Sequence, residues 1–131
     1  MKIISIHPQY WGKIKSGEKT VEFRKNRMGL RSGDKVAIYC TAPVSAIVGY
    51  FTVGNISKAY PYVAWDLYNK VGGIAKEDFF MYYHKKETAF IFQIENYTPV
   101  EIITLTEIRK QKPKWNPPQS IAKCPVELEK Q

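Results

Sequence analysis

Two strand-forming runs, residues 35–41 (KVAIYCT) and 46–53 (AIVGYFTV), stand four positions apart, and they constrain the fold more than any other feature. β-Branched and aromatic side chains dominate both, which suits a pleated, half-buried surface, and the intervening APVS is long enough only for a turn. An antiparallel hairpin is expected. A lone hairpin is marginal in water, so other segments must add strands to cover its faces. Residues 2–6 (KIISI), 20–24 (TVEFR), 88–94 (TAFIFQI) and 100–103 (VEII) qualify by composition, with a turn expected through 96–99 (NYTP).

The helical signals between these runs are short. Pro8 suits a first helical turn, where its missing N–H costs nothing; Tyr10, Trp11 and Ile14 follow at helical spacing, and Gly17 ends the helix. Residues 62–71 (YVAWDLYNKV) and 75–83 (AKEDFFMYY) read as two helices broken at Gly72-Gly73, forming a helical insert over 62–83 that could gate a neighbouring cleft. A last helical turn covers 104–110. The tail, 111–131, contains KPKWNPPQSIAKCP, too rich in proline for a helix or a central strand. The fold class is α+β: a small mixed β-barrel of about six strands with short flanking helices, closed so that its edges are covered. The length suits one domain, residues 1–131, with the tail packed on it.

Composition narrows the function classes. Hydrophobic residues at 44% and aromatics at 14% suffice for a core without metal or disulfide support. Cys40 and Cys124 form no CxxC, and with only His7 and His84 to join them the spacing of a structural zinc site is missing. No metal and no organic cofactor is required. Free thiols, a first segment too short for a signal-peptide core and no long apolar window lead to the expectation of a soluble cytoplasmic protein without a membrane span. The net charge of +8 is uneven. Residues 1–35 carry nine Lys/Arg against three acids (+6), residues 36–107 five against seven (−2), and residues 108–131 six against two (+4). If the fold joins the chain ends, they make a basic surface suited to phosphates or to an acidic protein partner.

The run 16–27 (SGEKTVEFRKNR) carries the candidate site. Alternation in a strand turns Val21 and Phe23 toward a core and puts Thr20, Glu22 and Arg24 on the other face. Glu22 and Arg24 then lie about 7 Å apart, with Lys19 at the junction before them. Lys25 and Arg27 follow as exposed cations. His7, a lone histidine before a helix proline, reads as a cap or packing residue. Tyr10, Trp11, Tyr39 and Trp115 could stack on bases; Trp11 and Tyr39 read as core, and Trp115, in the proline-rich tail, as the exposed ring.

Gly17-Glu18-Lys19-Thr20-Val21-Glu22-Phe23-Arg24 resembles the GxKxxExR signature of the ASCH domain family, related in fold to PUA domains. The opening IHPQYWGKIKSG, the pair AIYCTAPVSAIVGYFTVG, the stretch GIAKEDFFMYYHKKETAFIFQI and the closing Pro117-Pro118-Gln119-Ser120 extend the resemblance over most of the chain. It implies a PUA-like barrel with the signature in a cleft beside it, and binding of single-stranded RNA or of a nucleotide or nucleoside. On that reading Arg24 grips a phosphate or base edge, Lys19 a phosphate, Glu22 an exocyclic amine, and Gln119 and Ser120 return over the cleft.

Three function classes stay open. The first is a non-catalytic RNA- or nucleotide-binding module in RNA metabolism or in regulation linked to transcription and translation. The second is a hydrolase using Lys19 and Glu22, either a ribonuclease or an acetylcytidine amidohydrolase. Some small ASCH proteins are such amidohydrolases, with a lysine, a threonine and a glutamate; Lys19 matches the lysine, but Glu22 stands at the threonine position. The third is an adaptor docking an acidic protein.

Overall fold

β3 (Lys35–Cys40) and β4 (Ala46–Ala59) form the expected hairpin, and the computed structural model, which describes residues 1–128, builds one sheet around it. The other elements are β1 (Lys2–Ile6), α1 (Pro8–Ser16), β2 (Val21–Arg24), α2 (Pro61–Tyr68), α3 (Lys76–Tyr82), β5 (Ala89–Thr104), α4 (Leu105–Gln111) and β6 (Ile121–Lys123). Strand order is β2-β5-β4-β3-β1-β6. β1 runs parallel to β3 and every other pair is antiparallel, so the sheet is mixed and the fold α+β. No helix among the described residues is long and apolar enough to cross a membrane.

Three expectations change. β2 and β6 stay at opposite ends of the order, so the sheet is not closed into the barrel expected from the sequence. The runs 88–94 and 100–103 are not separate strands: β5 continues through Asn96–Pro99 because β4 is long enough to pair with it throughout, and the turn signal is absorbed as bulges. Gly49 permits this, since a Cβ there would meet the Thr98 carbonyl and the Tyr97 ring at 2.6–2.7 Å. Finally, the tail contributes β6, which pairs antiparallel with β1 and sets Lys123 opposite Lys2. An edge strand whose flanking prolines, Pro117 and Pro118 before it and Pro125 after it, lie outside the paired residues loses no ladder hydrogen bond to them. The two basic chain ends are thus neighbours.

The core falls into three clusters. Ile4, Ile6, Ile14, Ile38, Phe51 and Phe92 fill the inner side of the sheet. By alternation Ile3, Ala37 and Tyr39 face the other way and pack under α4 with Ile108. Val21 and Phe23 are buried, as the alternation requires, but against the helical insert: they pack with Ala64, Phe79, Tyr83 and Ile91. Phe79 is fully buried, an arrangement that stabilises by roughly 1.5–3 kcal/mol and pins α3 to β2. Glu22 and Arg24 pair with Phe92 and Phe90, so they lie on the inner side of the sheet, at the mouth of the main core.

α1 connects β1 to β2 and packs on the main core. Pro8 sits in its first turn, Gly17 ends it in the left-handed conformation at φ 84°, and Ile14 anchors it in the main core. The connection from α1 into β2 is stitched to the link between α2 and α3, with Thr20 N donating to Val71 O at 2.8 Å.

Candidate functional site

A cleft of about 820 Å³ opens between β2, the end of β1 and the insert. Its floor is an ion network. Lys19 is 4% exposed, and its Nζ donates to Val21 O at 2.8 Å and Gly72 O at 2.7 Å while pairing with Glu22 Oε1 at 3.1 Å. All three ammonium donors are therefore used. Two of these contacts tie the insert linker to β2, and Gly72 suits that place because a Cβ would run into the Phe23 ring. Glu22 Oε2 accepts from Arg24 Nε and Nη2, each at 2.8 Å.

Arg24 reaches past Glu22 to β1, where Nη2 donates to Ser5 O at 3.0 Å. A side chain thus spans the opening that backbone pairing leaves. Its Nη1, with two N–H donors, has no partner among the described residues. The backbone carbonyl of Arg24 accepts from Tyr83 Oη at 2.7 Å, which fixes the end of β2 to α3. Burial alone would raise the Glu22 carboxyl, but Lys19 and Arg24 outweigh it and hold the group below the usual carboxylate range.

The walls come from other elements. His7 closes β1 and caps α1 with its carbonyl, to which Tyr10 N and Trp11 N donate at 3.0 Å; its exposed ring lines the cleft with Nδ1 3.2 Å from Thr41 Oγ1. Tyr10 stands beside it at 6.1 Å, edge to face. Asp78 and Tyr82 enter from α3, and Gln9 and Gln119 face the opening. Burial pushes the Tyr82 phenol up, so it remains a donor at neutral pH. Pro118 O accepts from Ser5 Oγ at 2.7 Å, which brings Gln119 over the cleft.

Of the residues singled out in the sequence, Lys19, Glu22, Arg24 and Gln119 line one cleft. Lys25 sits at its rim with Nζ 4.4 Å from the Tyr82 ring. Arg27 bonds back to Leu30 O in its own loop, Ser120 is exposed beside Gln119, and neither lines the cleft. Trp115 is elsewhere: its ring packs on Tyr39 at 5.7 Å, on the sheet face opposite the main core, and is half-buried. Trp11 donates to Tyr97 Oη at 2.9 Å and packs on the core. Sequence reasoning missed Ser5, Thr41, Asp78 and Tyr82, which alternation within β2 does not reveal because each arrives from another element. The lining holds two cations and two carboxylates, so its formal charge is balanced rather than basic. Among the described residues no cluster of three or more His, Cys, Asp or Glu side chains is placed to hold a metal.

An open mixed sheet carrying a side cleft on an ion-paired edge strand defines the class of fold. A family model, the ASCH domain, matches residues 4–109, and the chain belongs to that family. An ASCH domain-containing ribonuclease from Zymomonas mobilis subsp. mobilis is 27% identical over 119 residues, covering 91% of this chain and 80% of the relative. The crystal structure of ASCH from Zymomonas mobilis superposes with a TM-score of 0.86 at 27% identity, over 94% of this chain and 86% of that one. The N-terminal domain of Staphylothermus marinus McrB shares the fold at 10% identity, with a TM-score of 0.57 over 94% and 87% of the two chains.

Proposed function

We propose that this chain binds single-stranded RNA in the cleft and cleaves the strand held there. The free Nη1 edge of Arg24 carries the proposal: a guanidinium held by Glu22 and Ser5 O presents two donors to an incoming phosphate at little further entropic cost. The volume suits one or two unstacked nucleotides. Tyr10 and Tyr82 offer ring faces, Gln9 and Gln119 offer paired donor and acceptor groups to a base edge, and Lys25 and Arg27 can take flanking phosphates outside the balanced lining. The description of the 27% identical relative as a ribonuclease supports scission. The acetylcytidine amidohydrolase reading has less support, since Glu22 stands at the threonine position and all three donors of Lys19 are bound.

Fluorescence anisotropy with a labelled single-stranded RNA, run beside a cleavage assay, tests this. Arg24→Ala should weaken binding at least tenfold and lower the slope of log affinity against log salt by about 0.7, the contribution of one phosphate contact. Binding left unchanged in that variant would remove the cleft from the account. Competition by free nucleotides separates RNA from an acidic protein as the ligand of this site.

A further inference from the structure

We infer that His7 is the general base of the scission step, an inference that rests on the RNA reading above. The ionisable groups of the cleft floor are engaged, since Lys19 has no unused donor, both Glu22 oxygens hold cations and Arg24 does not deprotonate, so a base must come from the walls, where His7 and Asp78 stand. His7 differs from the floor groups in every respect that matters for proton transfer. Its backbone is fixed by the carbonyl cap on α1, its ring lines the cleft beside Tyr10, and only Nδ1 is occupied, by Thr41 Oγ1 at 3.2 Å. Nε2 has no partner among the described residues, and in the tautomer in which Nδ1–H donates to the Thr41 hydroxyl it carries the lone pair, the form the inference requires.

The chemistry that this arrangement fits is internal transesterification. Nε2 takes the proton of a ribose 2′-hydroxyl as the 2′-oxygen bonds to the adjacent phosphorus, and the bond from phosphorus to the 5′-oxygen breaks. Water protonates the leaving 5′-oxygen, and the hydroxide so formed is neutralised by the proton that His7 releases. Arg24 Nη1 faces the charge gathering on the non-bridging oxygens. The products are a 2′,3′-cyclic phosphate and a 5′-hydroxyl, and no water is consumed overall. The substrate is thereby restricted to strands with a 2′-hydroxyl at the scissile position.

The test uses an end-labelled single-stranded RNA, the same strand with one 2′-deoxynucleotide at the cut site, and the wild-type and His7→Ala proteins, with products read by mass spectrometry. Expected are cyclic-phosphate ends, no cut at the deoxy position, and a loss of 10²–10⁴-fold in cleavage rate in His7→Ala while affinity falls less than tenfold. Because His7 is exposed, the variant should fold, and its melting curve checks this. Cleavage within threefold of wild type in His7→Ala, a cut at the deoxy position, or 5′-phosphate products would each overturn the inference and leave the RNA reading standing. RNA bound but not cut by the wild type would also overturn it, whereas no RNA binding at all would sink the reading beneath it.

Discussion

Replacing Lys19 by methionine should destabilise the whole chain rather than trim a surface contact. The side chain is 4% exposed and its ammonium bonds Val21 O, Gly72 O and Glu22. Methionine keeps most of the volume and removes all three bonds. Breaking a buried ion pair by removing one partner costs about 3–5 kcal/mol, and two buried carbonyls losing their donor would each add about 1–3 kcal/mol if nothing relaxed. Arg24 remains to compensate Glu22, and water can enter from the cleft, so the lower figure, about 3–4 kcal/mol, is the expected loss. For a chain of this size that lowers the melting temperature by roughly 10 °C. Urea denaturation of wild type, Lys19→Met, Glu22→Gln and the double variant gives a cycle in which the pair should couple by about 1–3 kcal/mol. A Lys19→Met loss under 1 kcal/mol would refute the view that Lys19 clamps the insert to β2, and additive effects would refute its coupling to Glu22.

Other outcomes follow from the same contacts. Glu22 is held below the usual carboxylate range, so its contribution is full above that range and lost as pH falls through the lowered folded value; Glu22→Gln should therefore lose its deficit relative to wild type, in denaturation midpoints, as pH falls below the usual carboxylate range. Gly72→Ala should cost about 1–3 kcal/mol in thermal melts, because the new methyl meets the Phe23 ring held by Phe79. Val21→Asp puts an unpaired carboxyl among Ala64, Phe79 and Ile91 and should leave little folded protein, read by circular dichroism.

Where one element carried the whole pattern, the sequence was enough. The hairpin of β3 and β4, the start and stop of α1 at Pro8 and Gly17, and the shared face of Glu22 and Arg24 all follow from local alternation, capping and spacing. What sheet neighbours decide was not legible. Asn96 to Pro99 resemble a turn in isolation, yet β4 continues alongside and Gly49 gives them room, so they bulge within β5. Trp115 looks exposed in its proline-rich segment until Tyr39 covers it. Alternation puts Arg24 on the polar face of β2, and only the approach of β1 shows that its Nη2 bridges to Ser5 O. Nor could spacing predict that the free ammonium assigned to Lys19 is consumed by Gly72, 53 residues away.

The central claim is that single-stranded RNA enters the cleft at Arg24. Titrating isotopically labelled protein with a short single-stranded RNA and following backbone, imidazole and guanidinium resonances tests it most directly. The account predicts shifts concentrated at His7, Tyr10, Arg24, Tyr82 and Gln119, with the Arg24 guanidinium moving most. Shifts confined to the basic patch at Lys112, Lys114 and Trp115, with the cleft resonances unmoved, would contradict it.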